Sequence, residues 1–587
     1  MKKNKMKQLM AIGLTGSMAA ASGMVCCAEE TIPAMVTYAD AYNRTVEDLK
    51  GDLFHYGYED PVSVKIGKFI STEAIWREGE TVDDNVWERL YKDLGYERDL
   101  LFSVDGSQQD TKMATAISSG EYPDIMMVSV TDMQEYAKSG VIADITDIYE
   151  EYASDELKAY VNWNGENNLT ATTVDGKVYG VPKRADRRTD AMMLFLRKDW
   201  LDNLGMEIPT TVEELKAVAK AFTENDPDGN GVADTYGLGI CGKEGFFWWS
   251  GVETFFECYG AAPGHWCGTF QFLEKDGEIV WGGSLVDEMK AALTDLQEMY
   301  QEGWLAKSFT TMDNVQIQSD IASGSCGMYF APNWGSQAMQ VELAKTNPDA
   351  DLIAVPLPDG MGEGSAKSYI PVTTNECWVI SSKCEHPEAI IKLLNVSAKV
   401  SASSEDAEQL ALFEAPGSGL YVGSNSWPVQ LGYTLGLEDE RAVCEAVTTG
   451  EIPEDLPEKG KASVKNVQLI EAAFADGTYA DLVAAGDEAI MSAITSNETY
   501  GANGGMRVSI QQVDEGRLNQ DAYNAIPTDA MNSKFTTLNK MTLETIIKII
   551  CGDSVDTYDT FLESWYKLGG DAVMQDAQAW YAENAAK

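Results

Sequence analysis

The sequence predicts an α/β protein of more than one domain, with mostly parallel sheets flanked by helices. Three observations carry this. Strand-like and helix-like segments alternate repeatedly, the pattern of a parallel sheet covered on both faces. The chain has 587 residues, more than one hydrophobic core accommodates. Hydrophobic residues make up 44% and charged residues 23%, an ordinary balance for a folded globular chain.

The chain opens on MKKNKMKQLMAIGLTGSMAAASGMVCCAEE. Lys2, Lys3, Lys5 and Lys7 precede an apolar stretch from Leu9 to Ala21 that is too short for a permanent span, so residues 1–27 read as a secretory signal. Cys26 or Cys27 is then the lipidated residue of a lipoprotein-type signal, which would anchor the protein on the outer face of the membrane. Plain secretion, with cleavage after Ala28, is the alternative. VSVKIGKF has strand periodicity at Val62, Val64 and Ile66. NVWERLYKDLG is an amphipathic helix ended by Gly95, and DLLFSV returns to strand. QDTKMATAISSG is helical, with Met113, Ala116 and Ile117 on one face. YPDIMMVS is a buried strand, and VTDMQEYAKSG a helix stopped by Gly140. A second run begins near Asp190: AMMLFLRKDW passes from strand to helix, and PTTVEELKAVAKAF carries a capping box, Thr211 with Glu214. LVDEMKAALTDLQEMYQEGW places Met289, Leu293, Leu296 and Tyr300 on one stripe, with Gly303 just past its end. EAIIKLLNV after Pro387 and the tail from KFTTLNKMTLETIIKIICG onward are helical.

The net charge of −49 argues against nucleic acid as a partner, which would need basic residues to neutralise phosphates, and against anionic lipid as a partner of the folded body. Ten cysteines contain no C-x-x-C pair, so zinc and thioredoxin chemistry are not signalled. A bridge Cys258–Cys267 or Cys377–Cys384 stays open. Three histidines are few for His-based catalysis. There is no G-x-S-x-G elbow, H-E-x-x-H or phosphate-cradling glycine loop.

In DPDGNGVAD, Asp226, Asp228 and Asn230 stand at positions 1, 3 and 5 of an EF-hand spacing. Gly231 is at 6, Val232 at 7 with its carbonyl, and Asp234 at 9. Position 12 is Gly237, so the bidentate Glu is missing. The reading is a calcium ion held by Asp226, Asp228, Asn230, Val232 and Asp234 that pins a loop without doing chemistry; an Asx-turn loop with no ion is the alternative.

Several stretches in order resemble the family 1, sugar-type extracellular solute-binding proteins of bacterial ABC importers, in particular the large lipoproteins akin to alginate-oligosaccharide receptors. They are SSGEYPDIMMV, YAKSGVIADITDIY, DGKVYGVP, LFLRKDWLDNLGMEIPTTVEELKAVAKAFTENDPDGNG, YGAAPGHW, IASGSCGMYFAPNW, HPEAIIKLLN and the C-terminal IIKIICG to YDTFLESWYKLGG. The match is weak over 400–530. The resemblance implies a two-lobed periplasmic-binding-protein-like fold of type II with a helix-rich C-terminus. Its first lobe would be 60–182 plus 353–440 and its second 190–350 plus 441–587, with crossings near 183–190 and 353–376 and the ligand in the cleft between lobes. It implies a monomeric receptor, not an enzyme, that hands a carbohydrate, neutral or anionic, to the permease subunits of an ABC importer. A receptor-fold protein for peptide or cell-wall fragments is the alternative, and a glycoside-processing enzyme a weaker one. The resembling alginate receptors carry Glu directly after the position-9 Asp, where this chain has Thr235.

The same resemblance places Trp334, in APNWGS, on a loop where the family stacks a sugar ring. In FFWWSG, Trp248 and Trp249 are adjacent and cannot both face one core, so one is a candidate for the cleft. Trp378 alternates in a strand near the second crossing, where packing suits it better. Maltose-type receptors follow the P-D-I strand with an aromatic; Val128-Ser129 stands here, which disfavours maltose and leaves Ser129 and Asp132 as polar candidates. PKRADRR gathers Lys183, Arg184, Arg187 and Arg188 beside the first crossing. Arg184 and Arg187 are candidates to read a uronate or sulfate, against the alternative that they pair with surface acids.

Overall fold

The computed structural model describes residues 38–584 except 71–75, 78, 164–166, 185–186, 248, 265–267, 372–375, 414–426, 430, 432–434, 524 and 526. The signal with Cys26 and Cys27 lies outside the described residues, and so does Trp248.

The first alternating run is β1 (Val62–Ile70), α1 (Val86–Asp93), β2 (Tyr96–Asp105), α2 (Gln109–Ser119), β3 (Ile125–Ser129) and α3 (Val130–Ser139). The second contains β4 (Val181–Pro182), β5 (Met193–Arg197), α4 (Val212–Glu224), β6 (Tyr236–Gly239), α5 (Glu253–Glu257), α6 (Val286–Glu302), β7 (Cys326–Ala331), α7 (Gln337–Thr346), β8 (Leu352–Val355), β9 (Ser368–Ile370), β10 (Glu376–Ile380) and α8 (Pro387–Ser397). A helical stretch with α9 (Leu437–Thr449), α10 (Glu488–Tyr500) and α11 (Gly505–Asp514) follows. β11 (Leu518–Gln520), α12 (Asp529–Ile550), α13 (Thr557–Trp565) and α14 (Asp571–Asn584) complete the chain.

Local chemistry accounts for these elements. In β1, Val62, Val64 and Ile66 are buried while Ser63 and Lys65 are exposed, the alternation of a half-buried strand. α1 starts at Asn85, whose side chain accepts from the N–H groups of Trp87 and Glu88, satisfying two otherwise orphaned donors. The capping box is present at α4: Thr211 accepts from the Glu214 N–H, and Glu214 accepts from the Thr211 N–H. On α6, Met289, Leu293 and Leu296 are fully buried, and Gly303 closes the helix with φ of 82°, a left-handed conformation that costs glycine least.

The chain divides into two compact units. The first takes Met1–Met126, Ile145–Tyr160 and Ile380–Tyr433; the second takes Met127–Asp144, Val161–Val379 and Thr434–Lys587. In the first, β1 and β2 pair in parallel, and Trp87, Tyr91 and Trp427 form an aromatic core with ring separations of 5.7 and 5.0 Å. Glu88 ties that core down. It takes Lys68 Nζ at 2.7 Å and the Trp427 indole N–H at 3.1 Å, so the buried ammonium is paired rather than stranded.

In the second unit a sheet runs in the order β8-β5-β7-β6. β6 and β7 are parallel, while β5 is antiparallel to both β7 and β8. Three strands therefore share one direction and β5 opposes them. The reason is connectivity: α7 links β7 to β8 as a crossover between like-directed strands, and β5 inserts between them. All five residues of β5 and all six of β7 are buried, as expected for strands covered on both faces. The C-terminal helices pack on this unit, with Trp281 stacked on Trp565 at 4.0 Å.

Cys377 and Cys384 are free thiols, and so is Cys258. The Cys377–Cys384 bridge left open by the sequence is not formed: Cys377 is buried in β10 and Cys384 lies in the turn beyond it.

Candidate functional site

α4 ends at Glu224 with Asn225 as its cap, and the acidic loop carries the chain into β6. Asp226 has φ of 49°, Gly229 68° and Gly231 80°, so the loop turns tightly three times. Gly231 is at the bend where a side chain would strain the backbone; its N–H donates to Asp226 Oδ2 at 3.0 Å. The Asn230 N–H donates to Asp228 Oδ1 at 3.2 Å. The Asn230 amide nitrogen donates to Asp228 Oδ2 at 2.7 Å and to Asp234 Oδ1 at 3.3 Å, and its Oδ1 accepts from the Val232 N–H at 2.6 Å. Partial burial and the carboxylates of Asp226 and Asp234 hold the Asp228 carboxyl above its ordinary range.

Among the described residues no three His, Cys, Asp or Glu side chains are gathered to hold a metal. The donor set nevertheless fits a hard cation. The Asn230 amide N–H lies between two carboxylates, where positive charge is wanted, and rotating that amide turns its oxygen toward them. Thr235, where the resembling receptors carry Glu, donates from Oγ1 to the Phe222 carbonyl at 2.7 Å. Its hydroxyl fastens the loop to the end of α4.

The carbohydrate candidates divide by burial. Trp249 is 3% exposed and stacks on Tyr329 at 4.9 Å, which stacks on Phe195 at 5.3 Å. Trp378 is 2% exposed in β10. Both are core residues of this structure. Trp334 is half-buried in the loop after β7, packed on the same core as Trp249. That loop is tied to the arginine segment: Asn333 Nδ2 and Ser509 Oγ both donate to the Thr189 carbonyl, at 2.5 and 3.1 Å. Arg187 pairs with Asp190 at 3.0 Å, and Lys183 with Glu376 at 2.9 Å. The Arg184 guanidinium lies 5.2 Å over the ring of Trp163, a cation–π distance. Trp163 escaped the sequence reading; its only signal was a lone Trp among Asn and Gly in VNWNGENN. Ser129 and Asp132 engage each other. Ser129 caps α3, accepting the Asp132 N–H at 3.0 Å and donating to Asp132 Oδ2 at 2.7 Å. The structure thus brings together the Trp334 loop and the segment of Arg187 and Thr189, and keeps Trp249 and Trp378 inside.

The family of bacterial extracellular solute-binding proteins matches residues 101–399. The chain belongs to this family. It is 28% identical over 268 residues to the polygalacturonan/rhamnogalacturonan-binding protein YtcQ of Bacillus subtilis (strain 168), covering 44% of this chain and 49% of that one. It is 28% identical over 267 residues to Lipoprotein LipO of the same strain, covering 44% and 48%. The chain thus spans about half the length of the curated relatives it matches. Among solved structures, the Streptococcus pneumoniae ABC-transporter substrate-binding protein FusA in complex with kestose superposes with a TM-score of 0.61 at 19% identity, over 89% of this chain and all of that one (100%). Alginate-binding protein AlgQ2 without calcium ion superposes at 0.60 and 15%, over 90% and 99%. These likenesses establish the fold: a helix-rich α/β protein of the periplasmic-binding-protein type. The family is one of solute-binding proteins, and YtcQ, FusA and AlgQ2 are named as binding proteins. No helix among the described residues is long and apolar enough to cross a membrane.

Proposed function

We propose that this protein is the extracellular receptor of an ABC importer, binding a carbohydrate and delivering it intact to the permease. The observation that supports this most is the family match over residues 101–399, joined by relatives whose names specify polygalacturonan, kestose and alginate. In this reading Trp334 stacks on a sugar face, as aromatic rings do for apolar ring surfaces, and Ser129 and Asp132 supply polar contacts. The chain performs no bond cleavage. Calcium sits at Asp226, Asp228, Asn230, Asp234 and the Val232 carbonyl and pins the loop between α4 and β6. The relative named as a lipoprotein supports an anchor at Cys26 or Cys27.

One observation favours an anionic ligand. Arg184, stacked on Trp163, is a planar fork suited to a carboxylate, and the relative YtcQ is named for a uronate polymer. Titration with oligogalacturonides and with neutral fructo-oligosaccharides, at two salt concentrations, tests both readings. Trp334→Ala is expected to weaken whichever sugar binds by about tenfold or more, equivalent to the ~1.4 kcal/mol of one stacking contact. If Arg184 reads a carboxylate, oligogalacturonide binding weakens with salt and with Arg184→Gln. Salt-insensitive binding of the neutral sugar alone would remove the anionic reading.

A further inference from the structure

Strand β9 is short. It pairs in parallel with β11 through only Ser368 to Leu518, Tyr369 to Asn519 and Ile370 to Gln520. Two carboxyl groups engage it. Glu257, at the end of α5, is 2% exposed; its carboxyl meets the Tyr369 N–H and the Ser368 hydroxyl. Its backbone carbonyl accepts from the Lys367 N–H at 3.1 Å. Asp521, just past β11, accepts from the Tyr369 hydroxyl on Oδ2 and from the Tyr523 N–H at 3.0 Å on Oδ1. The Asp521 N–H returns a bond to the Ile370 carbonyl at 3.1 Å.

Every partner of these two carboxyls among the described residues is neutral, including the Phe272 N–H that reaches Asp521 Oδ1 at 3.4 Å. Glu257 Oε2 has no partner at all among the described residues, and neither do both carboxyl oxygens of Glu253, one turn earlier on α5. Two cations lie near: Arg517 is committed to Asp359 at 3.0 Å and to the carbonyls of Leu357 and Ala366, and Lys367, half-buried just before β9, reaches Glu257 through its backbone N–H. The other titratable groups here are Glu253 and Cys258 on the α5 segment, Tyr369 on β9, and Tyr523 beside Asp521 with Asp576 of α14 facing it. None of them supplies positive charge. Ionising a carboxyl in such a place costs desolvation with no Coulombic return.

We propose that Glu257 and Asp521 form a proton-dependent clasp on β9, which holds the strand while the carboxyls are neutral and loosens it as they ionise. Burial supports this by pushing Glu257 to about 8 and Asp521 to about 7. By exposed surface Asp521 is only half-buried as a residue, so Glu257 is the stronger member. The direction follows from linkage. A carboxyl whose folded pKa is raised keeps a proton that the open form has already released. The clasp is therefore firmest below about pH 4.5 and weakens as pH rises to about 8, levelling off beyond. The clasp is independent of which ligand the protein binds.

The test is hydrogen exchange at amides 366–370 in the full chain from pH 5 to pH 9, with the intrinsic pH dependence of exchange divided out. The expected result is a local opening constant that rises by up to about a hundredfold per pH unit while both carboxyls titrate, and up to about tenfold where Glu257 alone does, until its plateau. In Glu257→Gln with Asp521→Asn that rise is lost, while Glu498→Gln, a buried carboxyl elsewhere in the unit, retains it. A pH-independent opening constant in the wild type overturns the proposal, and this arm stands even if the double variant does not fold. An equal rise in the wild type and the double variant overturns it as well.

Discussion

The acidic loop at 226–234 and the pair Glu257–Asp521 pose the same problem in different media. Both hold carboxylates whose partners among the described residues include no lysine or arginine. The loop is exposed. Its carboxylates stay hydrated, and the positive charge they lack can arrive from solution as a divalent ion. Glu257 is sealed, and with no cation among the described partners of its carboxyl a proton takes the place of a counter-charge. Burial, more than the carboxylate itself, decides whether an acid is balanced by metal or by hydrogen. The difference predicts that chelators act on the loop alone and that alkali acts on the clasp.

The largest expected effect is the pH dependence of stability. A fully buried carboxyl raised to about 8 forfeits up to roughly 5 kcal/mol as pH climbs through that span. Glu253 and Glu498 are raised by burial too and add in the same direction. Asp313 and Asp514, lowered by their Lys243 and Arg441 partners, act oppositely but below about pH 4. With three histidines in the chain, little else titrates in between. Thermal melts from pH 5 to pH 8 should show Tm falling steadily, and a flat profile would break the comparison on the buried side. Calcium withdrawal comes second. At calcium a hundredfold above its Kd the bound loop adds about 2.7 kcal/mol, so EDTA should lower Tm, and Asp228→Ala should abolish the EDTA response while leaving the pH profile intact. Tyr369→Phe, which removes the hydroxyl donor to Asp521, is expected to cost about 1–3 kcal/mol by denaturant unfolding and to leave the calcium response unchanged. The smallest effect belongs to Thr235→Glu. It adds a carboxylate to the loop but loses the bond to the Phe222 carbonyl. Calcium titration should show tighter binding, against slightly lower stability without the ion.

Much of this architecture is legible in the chain. Periodicity marks β1 through α3, and Thr211 with Glu214 announces the start of α4, because both signals are local. The EF-hand-like spacing of the acidic loop is a local signal of the same kind. Trp248 and Trp249 show where locality ends: adjacency says that one of them leaves the core, and only the stack on Tyr329 and Phe195 assigns Trp249 to the inside. Glu257 and Asp521 meet only through β9, and nothing near either residue in sequence marks it as buried. The bond from Asn333 to Thr189 is equally long-range. It joins two segments that composition treats separately.

A receptor of the proposed kind binds a sugar and releases it chemically unaltered. The direct measurement is to incubate the purified protein with oligogalacturonides and fructo-oligosaccharides, follow tryptophan fluorescence, and then weigh the recovered sugar by mass spectrometry. The account predicts a saturable fluorescence change with at least one of them and recovery at the starting mass. Shortened products, or no response to any oligosaccharide, would contradict it.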